Sequence, residues 1–199
     1  MPEYPHYRMT DPLIKLFGSH SRLKLLRLFL FNPSLTFSAA EAAARSRVEA
    51  GAARRELINL VSAGLLRRAR GKQTRYALNE KFPYLQALKN LLLNTARRGE
   101  SVPERLLAAG SVKLVILTGV FVGDVEANFD MLIAGDRMKE GVLRERVKGL
   151  EAELGRELRY ALLSTSDFLY RLNMNDKLVR DVMDYPHRIV HDRLDIGLK

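Results

Sequence analysis

The fourteen residues Ala53-Arg-Arg-Glu-Leu-Ile-Asn-Leu-Val-Ser-Ala-Gly-Leu-Leu66 constrain this chain more than any other stretch. Up to Ala63 the pattern is helical, with Ala53, Leu57, Leu60 and Val61 on one face. Gly64 suits the left-handed position that closes a helix. From Leu65 the period drops to two. Leu65–Arg70 and Gln73–Leu78 read as short strands around a tight turn at Gly71-Lys72. A helix that runs straight into a basic hairpin makes the first half of the chain mixed α and β.

What precedes this stretch completes a unit. Leu13, Leu16 and Phe17 begin a helical pattern, which resumes after Gly18-Ser19 with Leu23, Leu26, Phe29 and Leu30. Ser19 or Ser21 can cap the second stretch, and Asn32-Pro33 ends it. Ser38-Ala-Ala-Glu41 has capping-box spacing and opens a short helix, Ala39–Ala44. A further helix spans Val48–Ala63. Helix, short helix, helix, hairpin is the order of a winged helix-turn-helix, in which two helices brace a third against the major groove of DNA.

The charges fall where such a unit needs them. Residues 1–99 hold 18 Lys and Arg against 6 Asp and Glu, a balance of +12, whereas residues 100–199 hold 15 against 17, or −2. The excess positive charge therefore lies in one half, which points to a polyanionic partner for that half. Arg45, Arg47, Arg54, Arg55, Arg67, Arg68, Arg70, Lys72 and Arg75 are the candidate DNA-binding residues, with only Glu49 and Glu56 among them. Arg47, Ala50, Gly51, Arg54 and Arg55 are expected at the start or on the outer face of the third helix. Arg54 and Arg55 lie about 100° apart on a helix, so one is expected to read a base and the other to take a phosphate. The hairpin cations are expected on phosphates, half of them on the wrong face to touch anything. Tyr76 is expected in the core or at the hairpin's root.

Residues 12–78 resemble the arsenic-repressor type of winged-helix transcriptional regulator. The carrying motifs are Ser19-His-Ser-Arg-Leu-Lys-Leu-Leu26, the Ala53–Leu66 stretch, and Gly71-Lys-Gln-Thr-Arg-Tyr-Ala-Leu-Asn79. The resemblance implies a homodimer on double-stranded DNA. A helix over Phe82–Arg97 is expected, and its stripe Leu85, Leu88, Leu91 and Leu92, with Leu13, Leu16 and Phe17, is the candidate dimer seam. The alternative is that this stripe packs on the second domain of its own chain. The family's metal-binding cysteines are missing, since the chain has no cysteine. That lack also excludes disulfides, thiolate zinc sites, iron–sulfur clusters and a cysteine nucleophile.

The second half alternates strands and helices. Strands are expected at Val112–Thr118, Phe129–Ala134 and Leu158–Leu163, and a loop at Gly119–Asn128. Helices are expected at Pro103–Ala109, Arg137–Leu154, Asp167–Leu172 and Lys177–Met183, and a last extended piece at Pro186–His191. This half resembles the minimal nucleotidyltransferase domain of the polymerase-beta type. That family uses a Gly-Ser turn to cradle the triphosphate and three carboxylates to hold two magnesium ions. Here the matching positions are Gly119, Val120, Asn128, Asp130 and Arg159, with one carboxylate among them. The resemblance thus implies a degenerate nucleotide pocket with no catalytic residue, no metal and no cofactor. An improvised acidic cluster of Asp124, Glu126 and Asp130 is the alternative. His6, His20, His187 and His191 are read as structural or surface residues, because the segment between the last two is extended.

The expected architecture is α+β in two domains. Residues 11–80 form the winged helix-turn-helix, 81–99 a linking and dimerising helix, and 100–199 an α/β nucleotidyltransferase-like domain. No apolar run reaches the ~18 residues of a membrane span and the N-terminus lacks a signal-peptide core, so a cytoplasmic protein is expected. The functional expectation is a sequence-specific transcriptional regulator, not an enzyme, whose second domain meets a small-molecule or protein effector or mediates assembly. An active nucleotidyltransferase of the toxin–antitoxin type and a protein-binding scaffold with incidental DNA affinity are the rival readings.

Overall fold

A computed structural model of the 199-residue chain describes residues 12–69, 73–96, 102–124 and 127–196, with the side chains of 93–96 excepted. The chain is mixed α and β and divides into two compact units, Met1–Leu85 and Gln86–Lys199. The division falls inside the segment expected to link two domains.

The first unit contains α1 (Pro12–Phe17), α2 (His20–Leu30), β1 (Thr36–Phe37), α3 (Ala39–Ser46), α4 (Ala50–Ser62), β2 (Leu66–Ala69) and β3 (Arg75–Leu78). The ends of its helices are fixed by side chains. Ser19 accepts a hydrogen bond from the Arg22 N–H at 3.1 Å and starts α2. Ser38 and Glu41 form a complete capping box on α3. Glu49 caps α4, so this helix begins two residues later than the expected Val48. The core gathers Leu23, Leu26, Phe29, Phe37, Ala53, Leu57 and Leu60, all buried. β2 and β3 form the expected antiparallel hairpin. Its third strand, β1, was not expected: Thr36 and Phe37 pair antiparallel with Ala77 and Tyr76, giving the order β1-β3-β2. A two-residue strand is too short to leave a period in the sequence.

The expected helix from Phe82 begins at Leu85, as α5 (Leu85–Ala96), because Asn79–Leu85 makes two successive turns through Phe82. The expected seam does not form one exposed stripe. Leu92 and Leu13 are buried within the chain, whereas Leu16 and Leu91 are exposed.

The second unit continues with α6 (Val102–Leu107), β4 (Ser111–Leu117), a 3-10 turn Gly119–Phe121, β5 (Met131–Asp136), α7 (Glu140–Leu154), β6 (Tyr160–Leu163), α8 (Thr165–Asn173), α9 (Lys177–Asp184) and β7 (Arg188–Asp192). Its sheet has the order β6-β5-β4-β7, with β5 and β6 parallel and the other neighbours antiparallel. The extended Pro186–His191 piece thus becomes an edge strand. Alternation along β4 and β5 sends side chains to two cores. Val115, Leu117, Met131 and Ile133 pack with Leu106, Leu143, Val147 and Leu150 of α6 and α7. Leu114, Ile116, Leu132 and Ala134 pack with Phe168, Val179 and Val182 of α8 and α9. Helices therefore cover both faces of the sheet.

Three expectations shift here. β5 starts at Met131, not Phe129, so Asp130 precedes the strand instead of lying on it. α7 starts at Glu140, since Arg137 adopts a left-handed φ of 52° that no helix continues through. The expected loop after β4 opens with the 3-10 turn, closed by Phe121 N–H donating to the Thr118 carbonyl at 3.1 Å.

Candidate nucleic-acid interface

α4 separates its residues by face. Ala53, Leu57 and Leu60 are buried, whereas Arg54, Arg55, Ile58, Asn59 and Ser62 are exposed. At 100° per residue the exposed set forms one continuous stripe. Arg54 and Arg55 thus stand on the outer face, as expected. The carboxylate of Glu49 accepts from the backbone N–H of Gly51 at 2.6 Å and of Ala52 at 2.7 Å. Those two donors, reinforced by the nearby Arg55 and Arg54 charges, hold its carboxyl below the ordinary glutamate range.

A second polar tie sets the position of α4. Arg22 donates through Nε to Glu56 at 2.8 Å and through Nη1 to the Phe17 carbonyl at 3.0 Å, joining α1, α2 and α4. Burial opposes charge on Glu56, but the hydrogen bonds from Arg22 and Ser19 prevail and keep its carboxyl below the usual range.

Arg45 and Arg47 are exposed at the end of α3. The Arg45 guanidinium lies 5.6 Å from the centre of the Phe37 ring. Arg47 closes α3 in the left-handed region, with φ 48°, and so turns the chain toward α4. Arg67 and Arg68 are exposed on β2. Consecutive strand residues point to opposite faces, so the two present their charges on opposite sides of the hairpin. Arg70 and Lys72 lie outside the described residues. Tyr76 is buried, in keeping with a core role.

Arg75 is differently engaged. Its Nε donates to Thr36 Oγ1 at 2.9 Å, its Nη2 to the Thr36 carbonyl at 2.7 Å, and its guanidinium pairs with the Glu41 carboxylate at 2.8 Å. The side chain ties β3 to β1 and to the capping box of α3. These bonds brace the hairpin against the helices.

In the second unit, four of the five expected pocket residues form a knot. Asp130 is fully buried, and its Oδ1 accepts from the Val120 N–H at 3.0 Å and its Oδ2 from the Arg159 N–H at 2.9 Å. Arg159 Nε lies 3.6 Å from the same carboxylate. Gly119, at φ 55°, passes so close that a Cβ there would collide with Asp130 Oδ1 and the Phe129 carbonyl. Only Asn128 of the five faces the cavity of about 430 Å³ beside this knot, which is also lined by Thr118, Phe129, Lys177, Asp181 and Tyr185. Glu126 of the alternative acidic cluster lies outside the described residues, and Asp130 turns its oxygens to backbone donors. Among the described residues no group of three or more His, Cys, Asp or Glu gathers in metal-binding fashion.

Two features escaped the sequence reading: Ile58, a large apolar side chain 53% exposed among the cations of α4, and the Thr36 partner of Arg75.

No family model matches the chain, and no curated protein does. Among solved structures, the chain is similar to that of TrmBL2, described as an archaeal chromatin protein with a novel mode of DNA binding. The match has 19% identity and a TM-score of 0.30, covering 85% of this chain and 73% of that one. A likeness at that score bears on neither fold nor function. Among the described residues no helix is long and apolar enough to cross a membrane.

Proposed function

We propose that the chain is a sequence-specific double-stranded DNA-binding regulator of transcription that works as a homodimer, with a winged helix-turn-helix in residues 12–78. One observation carries the reading. The outer face of α4 and the adjoining α3 end and hairpin expose Arg45, Arg47, Arg54, Arg55, Arg67 and Arg68 within one unit. α4 is the reading helix, and Arg54 and Arg55 are its bases-and-phosphate pair, since arginine bidentate to guanine is the commonest specific contact. Arg45, Arg47 and the one of Arg67 and Arg68 on the DNA side of the hairpin supply phosphate contacts that set register without specifying sequence. Arg75 positions the hairpin.

The homodimer places two such helices on two half-sites, and the exposed Leu91 of α5 is the side chain offered to the seam. The second unit resembles a nucleotidyltransferase domain that has lost its chemistry and serves sensing or assembly. Asp130 supports this: its buried carboxylate accepts from the Val120 and Arg159 N–H groups and lies 3.6 Å from the Arg159 guanidinium, and no cluster of acids surrounds it among the described residues, a poor setting for a divalent metal ion. Asn128 and Arg159 do not replace the missing acids.

The test is selection of duplexes from a random pool by the full chain at near-physiological salt. A defined, approximately palindromic motif is expected. Binding that depends on salt but enriches no motif would replace this reading with the scaffold.

A further inference from the structure

Ile58 is a large apolar residue where a solvated face needs none. It is 53% exposed on α4, while Ala53, Leu57 and Leu60 fill the buried face of the same helix. Its helical azimuth is about 40° from Arg54 and about 60° from Arg55, which places it between the two cations. No other large apolar side chain of α4 is exposed to this extent.

We infer that Ile58 is a base-reading residue that packs its side chain on the 5-methyl group of a thymine. This rests on the proposed function, because it takes the outer face of α4 as the groove-facing one. The chemistry follows from the groove. Thymine alone among the four bases carries an apolar group on the major-groove edge, and apolar side chains recognise it by contact. An aliphatic side chain has no donor or acceptor for any other base edge. The rise from Arg54 to Ile58 is ~6 Å, or about two base-pair steps of ~3.4 Å. The thymine therefore lies within about two steps of the guanine read by arginine. Burying one methyl group is worth about a fourfold change in affinity.

The experiment uses the full chain and a duplex taken from the random-pool selection. Each thymine of one half-site, and its symmetry mate, is replaced in turn by uracil, which removes the methyl group and leaves every hydrogen-bonding edge intact. Affinity of the unaltered protein should fall about fourfold per half-site at one thymine within two steps of a guanine, and stay level at the others. Ile58→Ala should bind the thymine duplex with that same loss and be indifferent to uracil. Ile58→Val should retain part of the discrimination. Because the side chain is half exposed, all three proteins should melt alike, which separates contact from folding. A protein that selects a motif yet ignores every thymine-to-uracil replacement overturns the role of Ile58 and leaves the proposed function standing. Uracil sensitivity that persists unchanged in Ile58→Ala also overturns it. A pool that yields no motif removes the proposed function and the base-reading role together.

Discussion

The Arg75 guanidinium lies 2.8 Å from the Glu41 carboxylate, and a Glu41 oxygen accepts at 2.7 Å from the Ser38 N–H, so one acid serves a helix cap and the hairpin brace. This pairing separates two kinds of arginine in the first unit. Arg75→Ala should loosen the hairpin and weaken binding to all duplexes, with little change in the salt dependence. Arg67→Ala or Arg68→Ala, whichever faces DNA, should reduce the slope of log affinity against log salt by about one per monomer. Titrations at several salt concentrations distinguish the two. A slope change for Arg75→Ala equal to that of the β2 arginine would return Arg75 to the phosphate contacts.

Specificity should reside in α4. Arg54→Ala or Arg55→Ala should flatten the sequence preference by ~1–3 kcal/mol at one position per half-site. Competition between the selected duplex and single-base variants measures it. Equal losses on matched and random DNA for both variants would exclude base reading by this pair.

Stability in acid should depend on the first unit's carboxylates. Glu41, Glu49 and Glu56 are all held below the ordinary value of 4.5. Their stabilising contribution is complete above that value and is lost as pH falls through their lower folded-state values. Chemical denaturation from pH 6 downward should therefore show stability falling below about pH 4.5. Glu56→Gln should be less stable near neutrality and show a shallower fall. An unchanged acid profile in that variant would mean the Arg22–Glu56 tie contributes nothing.

Asp130 should act as structure and not as chemistry. Asp130→Ala leaves the buried Val120 N–H and the Arg159 N–H without their acceptor, at a cost of about 2–4 kcal/mol. The unaltered protein should transfer no label from nucleoside triphosphates to protein or nucleic acid, with magnesium or manganese. Metal-dependent transfer by the unaltered protein would promote the active-enzyme reading.

The dimer seam can be probed at an exposed position. Leu91→Glu should dissociate the dimer in sedimentation and weaken binding to a two-half-site duplex far more than to a single half-site. Its secondary-structure content should match that of the unaltered chain. Leu92→Glu, by contrast, buries a charge and should unfold the protein.

Local chemistry made much of this legible in the sequence. The capping box at Ser38, the helix face of Leu57 and Leu60, and the strand period after Gly64 all depend on residues a few positions apart. What escaped depends on distance. Thr36 and Glu41 meet Arg75 across 39 and 34 residues, so a basic residue in a basic hairpin reads as a DNA contact until its partners are seen. Asp130 joins Val120 and Arg159 across 10 and 29 residues through backbone N–H groups, which carry no sequence signal at all. Ile58 obeys the amphipathic pattern only loosely, and its exposure appears once Ala53, Leu57 and Leu60 have taken the inner face.

Base-specific recognition by this unit can be measured by titrating the full chain, at near-physiological salt, against the selected duplex and a scrambled duplex of the same composition. The affinity ratio should be about a thousandfold or more, collapsing when Arg54 and Arg55 are both changed to Ala. A ratio near one, with both duplexes equally sensitive to salt, would contradict it.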